Sequence, residues 1–320
     1  MLDERTFQDP HPADAAPPDC LGRIHRAIDF ILANLDRSHT LDDVARAAYV
    51  SPFHFHRLFR SIVGETPAQL TRRVRLERAI SILSHDPARP LTSVALDCGF
   101  ASSSDFSRAF KKRYGVPPSA FDVEAWCAEG QEEIRRVVEL GGGVAPILPP
   151  PEGENPDGFE VTLRDLPPRL VAYRRVLHPF REGVVAEAAE QLVRWAESAG
   201  LADGAWYGYM WDDPKVVALR DCRYDVAVEC PEPPPARPGD VGLHRFPALR
   251  VAEVSMDGGI DVEMRLLDWI YRVWLPTSGY LPDHQPCFEA WVGRPFAHGL
   301  ERFELAVQLP VCRIDGPPTG

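Results

Sequence analysis

The chain has 320 residues, with 35 Lys and Arg against 47 Asp and Glu, for a formal net charge of −12. That length leaves room for two domains with separate cores, and no run of 18 apolar residues exists, which excludes a membrane-spanning helix. The seven cysteines are scattered, with no C-x-x-C pair and no Cys/His cluster at zinc spacing, so the thiols are expected to be reduced and no metal or other cofactor is expected.

The first 19 residues, MLDERTFQDPHPADAAPPD, are acidic and Pro-rich and lack the basic start and apolar core of a signal peptide. They read as a disordered tail of a cytoplasmic protein. Charge then divides the chain. Residues 20–121 hold 15 Lys and Arg against 9 Asp and Glu, whereas the remainder holds 20 against 38. A basic module joined to an acidic one suggests a different partner for each, although composition alone leaves open that the basic excess is only solvated surface. Residues 141–158, GGGVAPILPPPEGENPDG, cannot sustain a helix or a central strand and read as a linker, preceded by a short charged helix in AEGQEEIRRVVEL. The expected organisation is a tail (1–19), a basic domain (20–125), a connector and linker (126–157) and an acidic domain (158–320).

The basic domain reads as all-helical. Leu21, Ile24, Ile28, Ile31, Leu32 and Leu35 recur at helical spacing. Thr40 with Asp43 suggests a capping box opening a second helix, with Leu41, Val44, Ala45 and Ala48 inward. Ser51 is placed to cap a third helix with Pro52 in its first turn, and Phe55, Leu58, Phe59 and Ile62 form its core face. A long helix follows through Leu70, Val74, Leu76, Ile80 and Leu83. Then the pattern recurs. Leu41, Val44 and Ala45 match Leu91, Val94 and Ala95 at an offset of 50; Ser51, Phe55, Arg57, Phe59, Gly64 and Pro67 match Ser102, Phe106, Arg108, Phe110, Gly115 and Pro118 at an offset of 51. Two helix-turn-helix units joined by one long helix is the simplest reading.

In such a unit the second helix enters the major groove of DNA. Its outward face carries Phe53, His56, Arg57 and Arg60 in the first copy, and Ser103, Ser104, Ser107, Arg108 and Lys111 in the second. Arg57 and Arg108 suit bidentate reading of guanine, serine hydroxyls reach bases or phosphates, and Phe53 suits a thymine methyl. Lys112, Arg113, Arg72, Arg73 and Arg75 are expected at phosphates, which hold register without reading sequence. Residues 20–121, and above all ALDCGFASSSDFSRAFKKRYGVPPSAF, resemble the DNA-binding domain of AraC-type transcription regulators. The resemblance implies an asymmetric site spanning two successive major grooves, read by positions 53, 56, 57, 103, 104, 107 and 108. His56 and the triple serine are uncommon choices, so an operator is not transferable from relatives.

The acidic half repeats too. VTLRDLPPRLVAYRRV (161–176) aligns with VGLHRFPALRVAEVSM (241–256), and RYDVAVECP (223–231) with RFELAVQLP (302–310). Between them lie the helical stretches GVVAEAAEQLVRWAESAG and IDVEMRLLDWIYRVW, and two further strands, AWYGYMWDD and CFEAWVG. Each half reads as a β–β turn, a helix and two strands. Two halves side by side give an α+β domain, an antiparallel sheet with helices on one face. A groove between the halves is a natural ligand site. Trp206, Tyr209 and Trp211 are expected there with Glu289 and Trp291, a carboxylate beside aromatic rings that suits a lipophilic cation, though each ring taken alone also reads as core. WYGYMWDDP, RYDVAVECP and PCFEAWVG resemble the gyrase-inhibitor-like (GyrI-like) effector domain, which implies Glu289 in a central pocket that takes amphipathic, often cationic, drugs.

The chain is therefore expected to be a multidomain, cytoplasmic, non-enzymatic transcription regulator. Its expected partners are double-stranded DNA and a hydrophobic small molecule, cations included, with RNA polymerase a candidate partner and no membrane. The alternatives are that the second domain hydrolyses reactive small molecules with Glu289 as general base, or that it is a gyrase-interacting module.

Overall fold

The computed structural model describes residues 18–142, 155–299 and 301–313. Residues 1–17 of the expected tail and 143–154 of the expected linker lie outside them. The described residues divide into two compact units. One takes in the chain up to Gln131 with two short returns, Asp213–Ala218 and Pro238–Gly242; the other takes the rest. No helix among the described residues is long and apolar enough to cross a membrane.

The first unit is helical: α1 (Pro18–Leu32), α2 (Leu41–Ala47), α3 (Pro52–Val63), α4 (Pro67–His85), α5 (Leu91–Asp97), α6 (Ser103–Tyr114) and the start of α7 (Val123–Gly142), whose second half belongs to the other unit. The charged helix expected within 128–140 is thus longer, starting at Val123. The α2–α3 and α5–α6 pairs are the two helix-turn-helix units, and α4 packs against all four of their helices. Phe55 and Phe59 of α3 and Phe106 and Phe110 of α6 are buried at matching positions, with Ile62 and Ala109 buried beside them. Thr40 and Asp43 form the expected capping box, and a second one, Thr66 with Gln69, opens α4. Ser51 occupies the N-cap of α3, but its side chain makes no capping hydrogen bond; only Ser102, its counterpart, caps by accepting from the Asp105 amide. Leu41, expected inside, is 39% exposed because it sits on the first, outward turn of α2.

Burial of α4 decides the fate of its arginines. Enclosed by the two helix-turn-helix pairs, Arg73 is buried and pairs with Glu65 at 2.6 Å and Glu77 at 3.1 Å. Arg75 is half-buried and donates to the carbonyls of Leu35 (2.8 Å) and Arg37 (2.9 Å). These two side chains brace the scaffold, contrary to the expected phosphate role. Arg72 stays exposed.

The second unit contains β1 (Thr162–Leu166), β2 (Arg169–Leu177), α8 (Val184–Ser198), β3 (Trp206–Met210), β4 (Arg223–Glu229), β5 (Val241–Phe246), β6 (Leu249–Gly258), α9 (Ile260–Trp269), β7 (Tyr280–Pro282), β8 (Phe288–Trp291) and β9 (Phe303–Arg313). The strand order is β1-β6-β9-β8-β3-β4-β2-β5, with short β7 on β9. The sequence repeat predicts β1 beside β2 and β5 beside β6. Instead each first strand crosses to the other repeat: β1 pairs with β6 and β5 with β2. Two residues, Pro167 and Pro168, join β1 to β2 although five strands of the order lie between the two, and Pro247 and Ala248 join β5 to β6 likewise. Such a link reaches only about 11 Å, so the sheet must curl until its ends meet. Its inner face then encloses Val171, Tyr173, Tyr207, Tyr209, Phe246, Leu249, Val251 and Phe288. The outer face packs Val254, Met256, Leu305 and Val307 against Leu266 and Trp269 of α9. α8 packs on β2 and β4.

Equivalent turns of the two helix-turn-helix units both need positive φ: 78° at Gly99 and 55° at Tyr49. A Cβ on Gly99 would also collide with the Leu35 carbonyl oxygen. Gly99→Ala should therefore cost at least about 2 kcal/mol, while Tyr49→Gly, which relieves a left-handed residue, should change stability by no more than about 1 kcal/mol. Urea unfolding followed by circular dichroism measures both; equal losses would contradict the packing at Gly99.

Candidate functional site

The outward faces of α3 and α6 are open. Phe53 is 69% exposed, and Arg57 and Arg60 are exposed beside it, while His56 is half-buried. The Arg57 guanidinium lies 5.3 Å from the Phe53 ring, a cation–π contact that orients it away from the core. On α6, Ser104, Arg108, Lys111 and Lys112 are exposed, and Ser103 and Ser107 are half-buried. Arg108 keeps a 3.9 Å contact with Asp105 one turn earlier, a loose, solvated pair that leaves its guanidinium available. Gly64 and Gly115, with φ of 82° and 83°, stop the two helices at the same point.

In the second unit, register decides which residues meet. Directly opposed residues of an antiparallel pair share a face. Gly208 of β3 stands opposite Glu289 of β8, and Trp206 opposite Trp291. Across β4, Met210 faces Tyr224 and Gly208 faces Val226. Glu289, Trp291, Trp206 and Tyr224 therefore lie on the outer face, which α9 covers. Gly208 makes room there: a Cβ at this position would collide with the Tyr224 hydroxyl and stand 2.6 Å from Glu289 Oε2. Through that gap the Tyr224 hydroxyl donates to Glu289 Oε2. Glu263 of α9, buried, donates a second hydrogen bond to Glu289. Trp206 is fully buried, its Nε1 donating to the Ala202 carbonyl at 3.1 Å.

Tyr209 and Trp211, expected beside Glu289, occupy the opposite, inner face with Phe288, because alternation along the strand sets them an odd number of residues, one and three, from Gly208. There the chain supplies its own cation. The Arg169 guanidinium is buried 4.3 Å from the Tyr207 ring and 4.1 Å from the Phe288 ring. Trp211 Nε1 donates at 2.7 Å to Asp225, which is itself fully buried against Arg175 at 2.7 Å. The structure thus brings Glu289, Trp291 and Trp206 to one face and leaves Tyr209 and Trp211 on the other.

Tyr224 and Glu263 are the site residues that sequence reasoning missed. Glu263 had a readable signal: it shares the i, i+3, i+7 stripe of Leu266 and Ile270, where a carboxylate is out of place. Tyr224 had none, since only cross-strand register brings it to Glu289.

Burial dominates the electrostatics. It pushes Glu289 up from its ordinary 4.5 to about 7, opposed by the hydrogen bonds from Tyr224 and Glu263. Glu263 is raised well above the carboxylate range by burial and by the Glu289 charge. Tyr224 rises for the same two reasons. A carboxyl raised by folding holds its proton in the native state after the unfolded chain has released it. The stability it contributes is complete below pH 4.5 and lost as pH climbs through about 7. Thermal unfolding of the unliganded protein followed by tryptophan fluorescence should thus show a midpoint falling between these pH values, and Glu289→Gln should flatten the slope. Identical slopes in the two proteins would contradict a protonated site.

Residues 44–122 match the family model described as a helix-turn-helix domain, and residues 159–311 that of a GyrI-like small molecule binding domain. Among curated proteins, the chain is 31% identical over 150 residues to the transcriptional regulator Rob of Salmonella typhimurium, covering 47% of each chain. It is 33% identical over 93 residues to the probable transcriptional regulator LumQ of Photobacterium leiognathi, covering 29% of this chain and 37% of that one. It thus spans between a third and a half of the length of these relatives. Among solved structures, the DNA-binding domain of AdpA in complex with a target DNA is 26% identical, covering 36% of this chain and 96% of that one, with a TM-score of 0.30.

Proposed function

We propose that this chain, which carries an AraC-type helix-turn-helix domain followed by a GyrI-like domain, is a one-component transcription regulator whose second domain senses a hydrophobic small molecule, cations included. The observation that carries the reading is the duplicated pair of exposed basic faces, with Arg57 and Arg108 at equivalent positions on α3 and α6. The two arginines read guanine, Phe53 meets a thymine methyl, and His56, Ser103, Ser104 and Ser107 complete the base-facing set. Arg60, Lys111 and Lys112 add positive charge along the backbone. The operator is asymmetric and occupies two successive major grooves on one face of the duplex.

In the second domain, Glu289 supplies the charge that selects a cation and Trp291 an aromatic neighbour, while fully buried Trp206 forms the floor. Ligand binding alters DNA affinity through a coupling of about 1–3 kcal/mol. A second reading rests on the same glutamate: a carboxyl titrating near neutrality beside Tyr224 suits general acid–base hydrolysis of a reactive small molecule. Turnover of electrophiles by the wild type that is lost in Glu289→Gln would favour it; saturable binding without product favours the sensor.

Selection of the purified protein against random duplexes should return one asymmetric site, and no preference over competitor would overturn the reading. Arg108→Ala should lose about 1–3 kcal/mol on that site and relax preference at one base pair; an unchanged logo would remove it from the reading set. Raising salt from about 50 to 200 mM should weaken binding by orders of magnitude, and a flat response would contradict groove docking.

A further inference from the structure

Two carboxylates meet on the outer face with nothing to neutralise them. Glu263 reaches Glu289 from α9, and the groups that face the pair are Tyr224 from β4 and Cys287 from the lead-in to β8. None of these is a base. Among the described residues no Lys, Arg or His lies against either carboxylate. Every other deeply buried acid with an ion-pair partner here has an arginine: Asp225 has Arg175, Asp212 has Arg223, and Glu77 has Arg73.

We propose that Glu263 and Glu289 form a proton-for-cation exchanger, in which the two carboxyls share one proton and a bound lipophilic cation replaces it. This rests on the reading that the second domain binds small molecules at Glu289. Two touching carboxylates cannot both ionise in a buried site, so one proton stays with the pair. A cation brings the missing positive charge. The proton then leaves to solvent, and the net charge of the pocket is the same before and after. Tyr224 and Cys287 take no part in the exchange, because burial and the two carboxyls raise both above neutrality.

The repeat sharpens the assignment. Gly183 and Gly259 cap α8 and α9 at the same point, so Glu263 corresponds to Glu187, which is exposed and hydrogen-bonds Gln191 instead. Phe303 stands where Tyr224 does in the other repeat. Only one of the two equivalent helices turns an acid inward, onto the strand that carries Glu289.

The test is calorimetry of the full chain with tetraphenylphosphonium in two buffers of different ionisation enthalpy, from about pH 5.5 to 8.5. Above about pH 7, where Glu289 has lost its proton and Glu263 keeps the one left on the pair, binding should release close to one proton, and affinity should rise about tenfold per pH unit before levelling off. Triphenylphosphine oxide, neutral and of similar shape, should release none. In Glu263→Gln, where only Glu289 can hold a proton, the release above about pH 7 should shrink towards zero. Carboxyl carbon NMR of the unliganded protein should give two coupled titrations in the wild type and one in Glu263→Gln. Binding of the phosphonium without proton release overturns the exchanger and leaves the sensor standing. No binding even at the alkaline end overturns both. Equal release in wild type and Glu263→Gln removes Glu263 from the exchange.

Discussion

The second domain depends on the pairing of β3 with β8, where Gly208 faces Glu289. This pairing joins the two repeats into one sheet. It also places a carboxylate opposite the one residue type that leaves space above itself. The Tyr224–Glu289 hydrogen bond passes through that space, and α9 closes over it with Glu263. A side chain at position 208 would force Tyr224 aside and deprive Glu289 of a donor. The chemistry around Glu289 thus follows from a missing side chain as much as from those present.

Because β1 and β5 cross between repeats, the sheet has two unlike faces, and each treats buried charge in its own way. On the inner face three buried arginines have a partner of opposite sign or an aromatic wall: Arg175 with Asp225, Arg223 with Asp212, and Arg169 among Tyr207, Phe246 and Phe288. Such pairs fix a unique packing more than they add stability. On the outer face Glu263 and Glu289 have only each other and a tyrosine. An uncompensated buried charge is costly, and that asymmetry sets the two faces apart.

The helical unit makes a similar division among its arginines. α4 touches both helix-turn-helix units and is buried along most of its length, so Arg73 and Arg75 turn inward to Glu65, Glu77 and backbone carbonyls. Positive charge left for an outside partner concentrates on α3 and α6. The same core that aligns these helices, built on Phe55, Phe59, Phe106 and Phe110, thereby sets which cations face outward.

The sequence by itself determined the helical periodicities, the two copies of the helix-turn-helix pattern, the matching Phe, Arg and Gly positions, and the strand–helix repeat of the second half. These are local or self-similar features, and period and spacing carry them directly. Boundaries such as the start of α7 were less legible, because apolar spacing there is weak. Only the tertiary structure decided strand exchange, since Pro167 and Pro168 look like a hairpin turn until distant strands compete for β1. It alone separated Tyr209 and Trp211 from Glu289, and it alone brought in Tyr224 and Glu263. Which residues share a face of a sheet is set by register with partners roughly 15 to 100 positions away, and that pairing is a contest among whole strands that no single stretch of the chain records.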